Sequence, residues 1–97
     1  MPIRAIVELQ AKPGRRGELR SLIEELIATH GPGMQGLLGS ELYDVIGDPD
    51  RLVEIADWES AEARDAVMQN PAAAEMMAPM LDLLAGPFRA TVVSRPT

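Results

Sequence analysis

RLVEIADWESAEARDAVMQNP, residues Arg51 to Pro71, contains the change of period that decides the fold. Leu52 to Ala56 is an apolar run interrupted only by Glu54, which predicts a buried strand. At Asp57-Trp58-Glu59-Ser60 the pattern turns helical, and a helix is expected from about Ala61 to Gln69. Ser60 suits the N-cap, because its hydroxyl can accept from a free N–H of the first turn, and Glu62 falls at the positive end of the helix dipole. Asn70-Pro71 restarts the chain as another helix, with Asn70 as cap and Pro71 at the first helical position, where a missing N–H does no harm. The only tryptophan therefore stands where a strand passes into a helix, a kind of junction that often borders a pocket.

Working back toward the N-terminus, Gly47-Asp48-Pro49-Asp50 is turn chemistry, so the strand at Arg51 pairs as a hairpin with a preceding strand, Leu37 to Ile46. Gly39 inside that strand predicts a bulge or a close backbone approach. Before it, Leu19, Leu22, Ile23, Leu26 and Ile27 recur at helical spacing and predict a helix from about Arg15 to Thr29, with Glu18, Arg20, Glu24 and Glu25 outside the stripe. His30-Gly31-Pro32-Gly33 ends it, Gly31 being suited to a left-handed C-terminal position. Ile3 to Leu9 alternates, with Ile3, Ala5, Val7 and Leu9 on one face, and Lys12-Pro13-Gly14 breaks that strand.

Beyond Pro71 an alanine-rich helix follows, in which Pro79 is expected to kink or split the chain near Met77. Leu81, Leu83 and Leu84 continue an apolar side up to Gly86-Pro87, and Phe88 to Ser94 is the last strand, with Arg95-Pro96-Thr97 as tail. The order β-α-β-β-α-β, its second helix in two pieces, is that of an α+β ferredoxin-like domain with a four-stranded antiparallel sheet covered on one face by helices. Ile6 and Val93 fall on the other face, which is too apolar to stay freely exposed.

The chain has 97 residues, enough for one domain spanning 1–97. A domain this short buries only about 60–65% of its unfolded surface, so pairing with a second copy would add needed stability. A net charge of −6 disfavours nucleic acid and anionic membranes as partners. With no cysteine there is no disulfide framework and no thiolate nucleophile, and one histidine leaves no metal-ligand set. The N-terminal residues lack the apolar core of a signal peptide, and a cytoplasmic location is expected.

In these features the chain resembles the antibiotic biosynthesis monooxygenase family of dimeric α+β barrels, which includes quinol and anthrone monooxygenases. The likeness covers nearly the whole chain. It rests on Lys12-Pro13-Gly14 before an amphipathic helix, on the hairpin entering Asp57-Trp58-Glu59-Ser60-Ala61-Glu62-Ala63, and on the Asn70-Pro71 break. These are scaffold features and speak to fold before activity. The resemblance implies a homodimer forming a dimeric α+β barrel, with an apolar pocket in each subunit between sheet and helices. It also implies oxidation of a small aromatic substrate by O₂ with no cofactor, neither metal nor flavin. The chain departs from the family at Val67, near which many members carry a histidine, and at Ala56, where an acidic residue is frequent and Glu54 lies farther off. The haem-degrading branch uses a histidine from the Val67 region and an asparagine where Val7 stands, so haem degradation is not expected here.

Candidate site residues follow from chemistry. Trp58 can present its indole face to a planar ring and its N–H to an oxygen, or simply close one end of the core. Asn70 can hydrogen-bond a phenolate-like oxygen, as can Gln69, although capping alone explains Asn70. His30 has the one side chain titrating near neutrality, as a general base requires; a helix C-terminus also favours its charged form. Trp58, Asn70 and His30 are the catalytic candidates. Val7, Val67, Met68, Met77 and Leu81 are the expected substrate-binding wall. Four of the six methionines, Met68, Met76, Met77 and Met80, cluster in the split helix and would form either a deformable wall or ordinary core filling. Arg64 and Arg89 can hold an anionic oxygen and Tyr43 can serve as an acid, but the two arginines read first as solvated cations and Tyr43 as cross-strand packing.

The function expected is a cofactor-independent monooxygenase of a phenolic or quinol-type aromatic. The alternatives are a non-catalytic, stress-associated or small-ligand-binding dimer, and an isomerase or cyclase on the same barrel.

Overall fold

The computed structural model describes residues 1–96; Thr97, the end of the expected tail, lies outside the described residues. Strand β1 (Ile3–Gln10) leads into helix α1 (Arg16–His30), then a 3₁₀ turn (Gly31–Gly33), β2 (Leu37–Asp44), β3 (Arg51–Trp58), α2 (Ala61–Met68), α3 (Pro71–Leu81) and β4 (Arg89–Ser94). The four strands form one antiparallel sheet in the order β2-β3-β1-β4. This is the expected ferredoxin-like α+β arrangement, its second helix in two pieces, α2 and α3.

Alternation assigns the faces. Ala5 and Leu9 on β1, and Leu52, Ala56 and Trp58 on β3, are buried beneath the helices. Leu19 and Ile23 of α1 and Met80 of α3 pack on Leu9 and Leu52, joined by Leu83 and Leu84 after α3. A smaller cluster, Ala5, Ala56 and Trp58, lies at the other end of the sheet. The core therefore comes in two parts. The outer face carries the Arg4–Asp57 ion pair at 2.8 Å, with Ile6, Val53 and Ile55 half-buried beside it.

Where the elements differ from expectation, backbone hydrogen bonding explains it. Gly31 is right-handed (φ −52°), not left-handed. Pro32 sits in the first turn of the 3₁₀ segment, where no N–H is needed, so the chain keeps its hand and closes with Met34 N–H on the Gly31 carbonyl at 2.9 Å. The left-handed glycine comes later, at Gly36 (φ +93°). Strand β2 stops at Asp44 because Val45 and Ile46 join the turn, whose positive φ falls on Gly47. The register shift between Leu37 and Gly39 is the expected bulge. Helix α3 is not split: it runs through Pro79 to Leu81. Pro79 lies in the last turn, and the carbonyl deprived of its partner belongs to exposed Glu75, where water can serve it.

Candidate active site

The β3–α2 junction is locked from three sides. Glu59 N–H donates to the Gly36 carbonyl at 2.9 Å, and Ser60 Oγ accepts from Ala63 N–H at 3.1 Å as the expected N-cap. A Cβ added at Gly36 would stand 2.6 Å from the Ala63 Cβ, so only glycine permits this approach. Trp58 is consequently held at the end of β3, opposite Ile3 on one side and Leu37 on the other, and is only 2% exposed.

Between the two parts of the core lies a cavity of about 130 Å³. Val7, Leu9, Ala56 and Trp58 form its sheet side, and Met34, Met68, Met76, Met77 and Met80 its helical side. An apolar cavity of about 150 Å³ accommodates benzene, so this space fits one ring as it stands. A fused polycycle requires the methionines to give way, which unbranched thioethers do readily. Met68 and Phe88, each more than a third exposed, bring the cavity to the surface.

Its polar groups are few: Ser40, Glu54 and Arg64. Glu54 lies between Val7 and Leu42 in the sheet register, on the helix-covered face. Ser40 Oγ donates to Glu54 Oε2 at 3.3 Å. Burial pushes the Glu54 carboxyl above its usual range, opposed by the Ser40 hydroxyl and by the positive charge of Arg64. A carboxylate so placed is a stronger base than a solvated one.

Of the residues anticipated from sequence, Trp58, Val7, Met68 and Met77 line this cavity together. His30 and Asn70 line a separate, more open groove with Val67, Thr29 and Glu75; Met34 and Met76 border both spaces. Asn70 Oδ1 is occupied in capping α3, accepting from Ala72 N–H at 3.0 Å. Val67 packs on the Trp58 cluster from outside the cavity, and Leu81 is 47% exposed. Exposed Tyr43 donates to Glu41. Arg64, expected to be solvated, instead borders the cavity.

The residue that sequence reasoning passed over is Glu54. The signal was available, because Leu52, Glu54, Ala56 and Trp58 share one face at period two, and three of the four are apolar. A lone carboxylate in such a row must point inward. Among the described residues, no three of His, Asp or Glu come together as a metal-binding set, and no helix is long and apolar enough to cross a membrane.

Comparison with known proteins supports the architecture. A family profile described as antibiotic biosynthesis monooxygenase matches residues 2–79. No curated protein matches the sequence significantly. Among solved structures, a Mycobacterium tuberculosis protein is 25% identical with a TM-score of 0.79, the match covering 100% of this chain and 97% of that one. A Bordetella bronchiseptica protein described as a candidate antibiotic biosynthesis monooxygenase is 18% identical (TM-score 0.87, coverage 99% and 98%). A variant of SnoaB, a cofactor-independent oxygenase from Streptomyces nogalater, is 14% identical (TM-score 0.83, coverage 99% and 94%). At such low identities the last two likenesses speak to fold alone.

Proposed function

The chain belongs to the antibiotic biosynthesis monooxygenase family, and from that premise we propose that it oxygenates a small phenolic or quinol-type aromatic in the Trp58 cavity, without metal or flavin. The observation that carries this reading is Glu54: one partly buried carboxylate, held by Ser40, inside a methionine-walled cavity of ring size. The oxygenase description of SnoaB, a structural neighbour, is consistent with it.

The chemistry is substrate-assisted. Glu54 takes a phenolic proton, and the resulting electron-rich anion passes an electron to O₂. The two radicals combine at a ring carbon, one oxygen atom remains on the ring, and the other leaves as water. For a hydroquinone the balance is hydroquinone plus O₂ giving hydroxyquinone plus water. The apolar walls keep bulk water from the anion and Trp58 holds the ring plane. The protein's contribution is placement and proton transfer.

A homodimer belongs to the same proposal. Its support is the outer sheet face, where Leu38, Tyr43 and Val93 are exposed beside half-buried Ile6, Val53 and Ile55. Sedimentation of the purified chain tests it; a monomer at micromolar concentration refutes it.

The catalytic reading is tested by O₂ uptake with substituted hydroquinones, with the products identified by mass spectrometry. Uptake above the non-enzymatic rate, reduced about 10²-fold or more by Glu54→Gln, is expected. Absence of uptake with every hydroquinone, or full activity in Glu54→Gln, defeats it.

A further inference from the structure

Two opposite charges face the cavity without meeting. Glu54 rises from the sheet and Arg64 reaches in from the second turn of α2, and among the described residues they form no ion pair within 4.0 Å. Arg4, Arg15, Arg16, Arg20 and Arg51 all have carboxylate partners, whereas Arg64 has none among the described residues. A guanidinium bordering an apolar cavity, with its donors uncommitted, is a recognition element for an oxyanion.

We propose that Arg64 makes this a site for ring compounds carrying an anionic oxygen at one end and a hydroxyl at the other, the anion held by Arg64 and the hydroxyl donating to Glu54. The proposal rests on the reading of this cavity as the substrate site. It narrows the substrate to the hydroxy-acid class of single-ring aromatics.

The volume and the charges agree on orientation. A space of about 130 Å³ takes one ring, with its substituents at the polar groups on the border, so a ligand has little freedom to turn once inside. Reversing it would set an anion against the Glu54 carboxylate and a hydroxyl against Arg64, leaving like charges together in a poorly solvated place. The charge of the whole chain does not supply this preference. At −6 it repels anions, so any anion selectivity must be local.

The single tryptophan lines the cavity, so its indole N–H gives one resonance that reports occupancy without turnover. The probes are 4-hydroxybenzoate and its neutral isostere 4-hydroxybenzamide, titrated at neutral pH into the full chain. Wild type is expected to bind the acid about tenfold more tightly than the amide. Arg64→Gln should abolish that difference while leaving the amide affinity within about twofold, because only the charged contact is removed. Arg89→Gln removes an equal charge from exposed surface outside the cavity and should leave the preference intact.

Equal binding of acid and amide by wild type, a preference surviving in Arg64→Gln, or no perturbation of the indole resonance by either probe overturns the proposal. Because binding is read without O₂ chemistry, anion selectivity in a protein that consumes no O₂ would refute the oxygenase reading and leave this one standing.

Discussion

Gly36→Ala is the sharpest test of how the Trp58 end of the sheet is held. Two separate costs arise. The first is conformational: at φ +93° an L-residue is strained by about 1–2 kcal/mol. The second is steric, since the new Cβ would meet the Ala63 Cβ at 2.6 Å and Glu59 Cγ at 3.2 Å. Glu59 can swing away, but the Ala63 Cβ is fixed to the helix backbone, so α2 must shift, at about 1–3 kcal/mol. Together these predict a loss of about 2–5 kcal/mol, or roughly 10–30 °C in melting temperature for a domain of this size. Gly47→Ala separates the two costs: it has nearly the same backbone angle (φ +90°) but nothing within 4 Å of the added Cβ. It should lose only about 1–2 kcal/mol. Thermal and urea unfolding of both variants at one fixed protein concentration measure the difference. Adding Ala63→Gly to Gly36→Ala should restore the steric part, less about 1 kcal/mol for glycine in a helix. Equal losses at Gly36 and Gly47, or a Gly36→Ala loss as large in an Ala63→Gly background as in wild type, would refute the close-approach argument.

Further outcomes concern Glu54 and the caps. The folded chain holds the Glu54 proton more tightly than the unfolded chain does, so this group's contribution is most favourable below about pH 4.5 and declines as pH rises through its folded value. Glu54→Gln should therefore gain stability relative to wild type between acid and neutral pH, read as a widening gap in urea midpoints; a gap that narrows toward neutrality contradicts the burial argument. Ser60→Ala removes the α2 cap and should cost about 1 kcal/mol by the same urea measurement, against about 0.5 kcal/mol or less for exposed Ser21→Ala, which caps nothing.

The parts of the fold legible in sequence were those set by periodicity. The α1 stripe, the β1 alternation and the β2–β3 turn each follow from local spacing, and the caps at Ser60 and Asn70 follow from side-chain chemistry. Gly31 and Pro79 read less well because a residue's tendency to break a helix depends on where the break would fall. Pro79 two residues from a helix end removes one bond that water replaces, and Gly31 before a 3₁₀ turn has no reason to reverse hand. For the site, Trp58 and the methionines were visible as bulk. Glu54 was passed over and Arg64 read as solvated because each looks ordinary in its own segment, one of two acids in a strand and a single base on a helix. They matter only once the fold brings both to the border of one cavity.

The sheet register has a consequence for the order in which the chain can be completed during synthesis. Central β1 pairs on one side with β3 and on the other with β4, and Ile3 meets Ser94, a residue made 91 positions later. At roughly 5–20 residues per second, that partner follows about 5–18 s after β1 itself. Until then one long edge of the central strand has no native neighbour, and a bare strand edge invites pairing with another nascent chain. When β4 arrives it brings contacts of maximal loop length, which form slowly. All six of its residues stay exposed in the single chain, so little burial hastens the step. Arrival of β4, and not the formation of the β2–β3 hairpin, is thus when this sheet becomes whole.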